Sequence, residues 1–370
     1  MDASLGPDEV EHLEHAARIA DRGWGHVDPN PMVGCVLVRD GVRISEGAHP
    51  EYGAAHAEIV ALSQAGDARG ATAYVTLEPC NHHGQTPPCV DALIESGVKR
   101  VVYGASDPGE KSGGGAQRLR DAGLDVVGPV WDAARTRAEN PVFHHHAVGS
   151  DRPFVALKLA LSLDGAVTAA AGVATRITGQ EADEDVHRLR AGFDAVMVGS
   201  GTVRTDDPQL TIRHGSPGRT PTHRVVLVSD GRLRADARLF DGLDVSPLHL
   251  VYGETADPTG PSEAEGRGAS VHSVPAVGDE LSLSAVLAVC HRLGLRSVLC
   301  EGGAALGRGL LRADLVDRLI LYTAPTVLGP DAVQAFDPGT ASALRAFAPV
   351  LPPATFGRDT RTILDRREPD

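Results

Sequence analysis

At 370 residues and 42% hydrophobic content the chain has apolar area for more than one core, so two globular units are expected and a small stapled scaffold is excluded. A formal charge of −14 with no lysine- or arginine-rich block argues against nucleic acid as a partner, and apolar runs such as PFVALKLAL, nine residues or fewer, fall far below the roughly 20 that cross a bilayer. Five cysteines, Cys35, Cys80, Cys89, Cys290 and Cys300, and an acidic start unlike a leader peptide fit a soluble cytoplasmic protein whose thiols pack or bind metal rather than pair.

In chain order, the periodicity predicts a helix over Asp8 to Arg22, stopped by Gly23, and then two strands in MVGCVLVRDGVRISEGA that turn at Asp40 and Gly41. A helix from about His56 to Ala65, a strand at Tyr74 to Leu77 and a helix from about Pro88 to Ser96 follow. Next come the strand RVVYGA, a helix near Ala116 to Asp121 and the strand LDVVG. Strands alternating with helices make the first unit, residues 1–148, an α/β layer structure whose sheet is largely parallel after its hairpin.

The pattern restarts after NPVFHHHAVGSDRP, so the boundary is expected within Val142 to Pro153. The second unit, residues 149–370, is again α/β: FVALKLALS, a helix at Glu181 to Arg190, strands in DAVMVGS, HRVVLVS and LHLVYG, a helix at Leu283 to Leu293, then RSVLCEGG and DRLILYTAP. No internal repeat is present, and the Gly-, Pro- and Ser-rich pieces at Gly215 to Pro221 and Thr255 to Gly268 read as surface loops.

The chemistry concentrates in HAE at His56 to Glu58 and in YVTLEPCNHHGQTPPC, where Cys80 and Cys89 bracket a loop ahead of a helix. One imidazole and two thiolates supply three ligands and leave a tetrahedral Zn²⁺ one open position, the arrangement of a catalytic rather than a closed structural site. Water held there loses proton affinity, and Glu58, two residues from His56, is placed to move its proton. Zinc nucleobase deaminases carry H-x-E and then P-C-x-x-C; this chain has HAE and EPC, but eight residues rather than two separate its cysteines. Taken singly, Cys80, Cys89 and His56 are ordinary core residues, and a structural zinc completed by His82 or His83 is the alternative for the cluster. His144, His145 and His146 read as a solvated connection between units, and Cys290, His291 and Cys300 as packing residues.

With those residues in place, the chain resembles, over nearly its full length, the bifunctional riboflavin-biosynthesis family that fuses a diaminohydroxyphosphoribosylaminopyrimidine deaminase to a 5-amino-6-(5-phosphoribosylamino)uracil reductase. In the first unit the resemblance rests on PNPMVGCVLVRDG, HAE and TLEPCNHHGQTPPC, where the family shares the long cysteine spacing. In the second it rests on LKLALSLDG, DVHRLRAGFDAVMVGSGTVRTDDPQLTIR, EGG and APTVLG. It implies a cytidine-deaminase-like three-layer domain followed by a dihydrofolate-reductase-like domain. It also implies Zn²⁺ on His56, Cys80 and Cys89, Glu58 as proton shuttle, and Asn30, His49 and His82 lining the deaminase pocket. For the reductase it implies hydride transfer from NADPH to the ribose C1′ of a phosphorylated pyrimidine. NADP contacts then fall on Ala160, Thr202, Asp206, Ser229 and the run Gly303, Ala304, Ala305, Leu306, Gly307, Arg308 and Gly309, and substrate contacts on Arg190, Leu210, Arg213 and Glu301. A homo-oligomer is implied as well. No GxGxxG fingerprint appears; GSGT and EGGAALG are strand-to-helix turns whose backbone N–H groups suit phosphate, and glycine also serves ordinary tight turns.

Four positions depart from the family's usual pattern. Gln85 and Ala166 stand where a basic residue is usual, and Ala174 and Arg176, in the region that lines the reductase cofactor and substrate sites, replace a Ser and a Trp. DPGEKSGGG is a looser form of its segment. These departures motivate an alternative, a paralogue that deaminates a related pyrimidine and carries a weakened or redirected reductase.

Overall fold

Strand β1 (Gly34–Arg39) is apolar at almost every position because both of its faces are covered. The computed structural model describes all residues except 1–4, 83–86, 110–111, 214–217, 219–220, 230–232, 235, 278–279 and 368–370. In it Cys35 and Leu37 enter one core with Ala57, Ala61, Val90 and Leu93, while Val36 and Val38 enter another with Leu13, Ala16 and Ile19. The period of two along a strand produces this split. Helix α1 (Pro7–Ala20) covers one face; α2 (Ala57–Ala65) and α3 (Cys89–Glu95) cover the other. Gly34 permits the first contact, since a Cβ there would lie 2.0 Å from the Ala16 carbonyl oxygen.

These elements belong to the first of two units, Met1–Gly149. With β2 (Val42–Ala48), β3 (Thr72–Leu77), β4 (Arg100–Ala105) and β5 (Asp125–Val127) the sheet order is β2-β1-β3-β4-β5. β1 pairs antiparallel with β2 and β3, and β4 pairs parallel with β3 and β5. Parallel pairing brings the carboxyl ends of β3 and β4 to one edge, where Glu78, Cys80 and Asp107 emerge. There α4 (Gly115–Asp121) begins so close to the chain that a Cβ on Gly115 would sit 1.8 Å from the Pro79 carbonyl oxygen.

Two further helices, α5 (Ala133–Glu139) and α6 (Pro141–Ala147), close this unit. They correct the expectation that His144, His145 and His146 lie in a solvated connection: all three are in α6, half-buried, and burial pushes His144 down to about 4. Pro141 at the first helical position was the local signal for this helix.

The second unit, Ser150–Asp370, begins with β6 (Phe154–Leu161), β7 (Ala166–Thr168), α7 (Gln180–Ala191), β8 (Ala195–Gly199), α8 (Ser200–Asp206), β9 (His223–Val228), β10 (Leu248–Gly253), α9 (Thr259–Gly266) and β11 (Ser270–Val274). It continues through β12 (Ala276–Val277), β13 (Glu280–Leu281), α10 (Leu283–Arg292), β14 (Ser297–Cys300), α11 (Ala304–Arg312), β15 (Arg318–Thr323), β16 (Val333–Gln334), α12 (Ala341–Leu344), β17 (Phe347–Pro349), β18 (Ala354–Phe356) and β19 (Asp359–Arg366). A ten-stranded sheet runs β11-β10-β9-β8-β14-β6-β15-β19-β17, with β18 on β19. It is parallel from β11 to β15 and antiparallel at β19. Strand β14 enters between β8 and β6, so the carboxyl ends of β8 and β14 lie side by side where the strand order reverses, the place where open α/β sheets bind ligands. Thr255 to Gly268, expected as a loop, carries α9, which buries Ala264; Gly215 to Pro221 lies mostly outside the described residues. No helix among the described residues is long and apolar enough to cross a membrane.

Arg224 is fully buried, and its guanidinium donates to the carbonyls of Gln209 at 3.2 Å, Leu239 at 2.6 Å, Asp241 at 2.9 Å and Ser246 at 2.5 Å. It thereby ties the 207–213 loop to residues 239–246 of the same unit; charge-assisted bonds of this kind hold otherwise unpaired carbonyls.

Three histidines cross the edge of the sheet as a ladder: His223 Nδ1 lies 2.8 Å from His249 Nε2, and His249 Nδ1 lies 3.1 Å from His272 Nε2. All three are lowered, first by burial, and His249 reaches about 4. Asp194 faces His223 and Arg292 faces His272. A folded value below the unfolded one of about 6.5 means that the unfolded chain takes up protons first. The stability that this ladder contributes to the second unit is therefore fully present above about pH 6.5 and is lost as the pH falls toward about 4. Thermal midpoints at about pH 7 and about pH 5 will show a fall in the wild type that is smaller in His249→Leu.

Candidate functional site

In the first unit, His56 caps the start of α2 in extended conformation, Cys89 opens α3, and Cys80 lies in the loop between β3 and α3. The two helix starts and the strand end converge, placing His56 Nδ1 3.2 Å from Cys89 Sγ and 3.5 Å from Cys80 Sγ. Zinc–nitrogen and zinc–sulfur bonds at the tetrahedral angle give edges of roughly 3.6 Å, so the spacing fits one ion. All three donor atoms lie within 4.8 Å of one another, and among the described residues they form the one such cluster. His82 is outside it and His83 lies outside the described residues, so no fourth protein ligand joins the set among the described residues.

Protonation points the same way. Cys80 is lowered to about 4, first by its hydrogen bond with Cys89, while Cys89 is raised, first by that same bond. The pair gives up one proton readily and keeps the other, and a divalent cation is what lets both thiols ionise. Glu58, on the first turn of α2, is 3% exposed. Burial, and then the charge of Cys80, raise it to about 7; a nearby dication pulls the other way.

The cluster opens on a cavity of about 340 Å³ lined by Asn30, His49, Glu58 and His82 among others. His49 Nδ1 donates to the Ala55 carbonyl at 3.1 Å, so its Nε2 accepts from the Asn30 amide nitrogen at 3.2 Å. That chain fixes the neutral His49, which burial also favours, and leaves the Asn30 amide oxygen as an acceptor that His49 does not use. His82 Nδ1 is buried without a partner among the described residues. Two carboxylates on the same wall escaped the sequence reading. Glu78 accepts from Ala116 N at 2.9 Å and Asp107 N at 3.3 Å, and burial raises Asp107. Their signal was position, one residue past the strand TAYVTL for Glu78 and two past RVVYGA for Asp107. Gln85 lies outside the described residues.

In the second unit, Gly199 caps α8 and Gly303 caps α11, at the carboxyl ends of the neighbouring strands β8 and β14. Gly303 N donates to Thr202 Oγ1 at 3.3 Å. A Cβ on Gly199 or Gly201 would meet nothing within 4 Å, so open space lies over these turns. Below them Arg190 on α7 holds Glu301 in a two-pronged pair at 2.6 and 3.0 Å, with side chains 9% and 10% exposed. Arg190 also donates to Thr211 O at 2.9 Å, and Arg213 N donates to His187 Nδ1 at 3.2 Å. The 207–213 loop is thus pinned to α7, with Leu210 buried at φ 59° and Arg213 exposed.

Of the other positions implied for this site, Ala160 and Ser229 fall, like Thr202 and Gly303, at or just past the carboxyl ends of the adjacent parallel strands β6, β9, β8 and β14. Ala160 lies on β6 opposite Tyr322, Asp206 ends α8, and Ser229 is exposed just past β9. Within the run from Gly303, Leu306 and Gly307 face the core around Leu157. Arg308 turns to the carbonyls of Ala335 and Gln334, and Gly309 packs near Leu283. Ala305 is exposed beside the buried Ala304. Ala174 is exposed, and Arg176 pairs with Asp183 at 2.6 Å. Ala166 is fully buried in the β7–β16 ribbon. The sequence reading missed Lys158, half-buried on β6, whose amine is lowered first by burial while Glu301 opposes the fall. It also missed the chain from the buried Tyr322 and Asp185 to the half-buried Arg361.

The comparisons divide the chain in the same two parts. Residues 8–105 match the cytidine and deoxycytidylate deaminase zinc-binding region, and residues 153–349 match the RibD C-terminal domain. The riboflavin biosynthesis protein RibD of Escherichia coli is 38% identical over 330 residues, covering 87% of this chain and 89% of that one. The solved RibD of Acinetobacter baumannii superposes with a TM-score of 0.73 at 34% identity, covering 98% of this chain and 99% of the other. A Thermotoga maritima structure described as a diaminohydroxyphosphoribosylaminopyrimidine deaminase/5-amino-6-(5-phosphoribosylamino)uracil reductase gives 0.75 at 30% identity, with 97% and 99% covered. Identity of this order, sustained along most of both sequences, makes the chain a member of the RibD family of riboflavin biosynthesis proteins.

Proposed function

We propose that the first unit hydrolyses the 2-amino group of 2,5-diamino-6-ribosylamino-4(3H)-pyrimidinone 5′-phosphate, and that the second uses NADPH to reduce the ribosyl group of 5-amino-6-(5-phosphoribosylamino)uracil to a ribityl chain. A deaminase joined to a reductase of riboflavin biosynthesis follows from the family; the substrates, the preference for NADPH and the residue roles are our reading. The observation that carries it is the convergence of His56, Cys80 and Cys89 beside the buried Glu58 in one cavity.

Those three side chains would hold zinc, which when bound lowers the pKa of a water molecule from about 16 to roughly 7. Glu58 takes the proton released there and, enclosed from solvent, keeps it for the departing amino group, so that ammonia leaves neutral. The Asn30 amide oxygen, set by His49, accepts from a pyrimidine N–H, and Glu78 and Asp107 suit a ring rich in amino groups.

In the second unit NADPH supplies hydride when bound. The open space over Gly199 and Gly201 and the free N–H groups at the start of α11 suit a phosphate-bearing cofactor. Arg190 and Glu301, with the 207–213 loop, face the substrate, and Lys158 stands by as a source of a proton. The five free, buried cysteines support a cytoplasmic setting, and the family resemblance supports a homo-oligomer.

Mass-spectrometric product analysis on metal-quantified protein tests this. Without NADPH the phosphorylated diaminopyrimidine will stop at the aminouracil; with it the ribityl product will accumulate. Ammonia release with no NADPH consumption would remove the reductase from the proposal and favour the paralogue, and equal rates with NADH would remove the cofactor preference.

A further inference from the structure

The deaminase cavity has a wall that neither the zinc cluster nor the PNP loop supplies. Phe143, on α6, lines it. The other aromatic rings of that lining, His49, Tyr52, His56 and His82, all carry polar atoms, so Phe143 is the fully apolar ring among the described lining residues. A cavity of about 340 Å³ suits a flat heterocycle, and such a ring packs on an aromatic face by offset stacking.

The helix is tied to the cavity from its first residue. Asn140, buried at its start, accepts from Met32 N at 2.7 Å through Oδ1 and donates from Nδ2 to Met32 O at 3.0 Å. Its amide thus mimics a strand partner for Met32, which lies between the lining residues Pro31 and Val33 and two residues from Asn30. The Asn140 carbonyl accepts from His144 N at 3.0 Å and closes the turn that carries Phe143. Asn140 and Phe143 are three residues apart, one helical turn, so one bond pair sets both the Asn30 loop and the ring.

We propose that Phe143 is a specificity-determining contact of the deaminase, packing on the pyrimidine ring, and that Asn140 is the positioning residue that holds this wall against the Asn30 loop. The inference rests on the first unit acting on the aminopyrimidine. A heterocycle packed on that ring is held in a fixed plane within the cavity that Glu58 also lines.

Steady-state deamination by Phe143→Leu, which keeps apolar volume but loses the ring, will show KM raised about 3- to 10-fold with kcat within about twofold, and Phe143→Tyr will restore KM. Asn140→Ala will lower deaminase kcat/KM about tenfold with about one zinc per chain retained and reduction of the aminouracil unchanged. Unchanged KM in Phe143→Leu would overturn the stacking contact. Loss of zinc or of both activities in Asn140→Ala would make α6 a mere structural prop and overturn the positioning role. An inactive wild type would overturn the proposed deaminase function, and this inference with it.

Discussion

Glu58→Gln will lose about 10³-fold in deaminase kcat while keeping about one zinc per chain and full NADPH-dependent reduction. Glutamine has the shape of glutamate and fills the same buried place at the start of α2, but it cannot take up and release a proton near neutrality. The zinc donors do not need the carboxylate. Glu58 carries charge toward Cys80 and is itself raised by that thiolate, so removing it relieves a repulsion within the cluster. Zinc content measured beside turnover therefore separates a lost proton carrier from a lost ion. Turnover within tenfold of wild type would assign the proton to another group, and Asp107, half-buried on the same wall, would be the next to test.

Much of the candidate deaminase centre was legible because the residues that would hold zinc sit at the ends of elements that announce themselves. HAE opens an apolar helix and EPC follows an apolar strand, so spacing along the chain became proximity in space. Glu78 and Asp107 needed the sheet order, which puts the exits of β3 and β4 side by side. Phe143 needed more: Asn140 meets Met32 across 108 positions of chain, and no local pattern encodes that pairing. The segment from Thr259, TGPSEAEG, is poor in helix formers, and packing of Ala264 on the sheet overrides its propensity. In the second unit the two glycine turns were visible, but Thr202 and Gly303 are 101 residues apart, and only the insertion of β14 beside β8 makes them one crevice. Arg308, within the same run, turns its guanidinium to the carbonyls of Gln334 and Ala335, a pairing 26 and 27 residues along the chain that no local pattern encodes.

Glu301→Gln will lower reductase kcat/KM by about 10²- to 10³-fold and leave deamination untouched. The pair with Arg190 is two-pronged and nearly enclosed, and removing one charge from such a pair costs about 3–5 kcal/mol because the partner is left buried and uncompensated. Arg190 keeps its bond to Thr211 O, so the 207–213 loop stays attached while the pair beneath the crevice is broken. A second readout follows from Lys158. Burial lowers its amine and the charge of Glu301 counters that fall, so without Glu301 the amine loses its proton at a lower pH. Wherever the protonated amine is needed, the basic limb of the reductase pH profile will then move to lower pH, a shift that damaged packing alone does not produce. Arg190→Lys, which keeps the charge but not the fork, will lose less activity and leave that limb in place. Full reduction by Glu301→Gln with an unmoved basic limb would take the pair out of the site and return it to the scaffold.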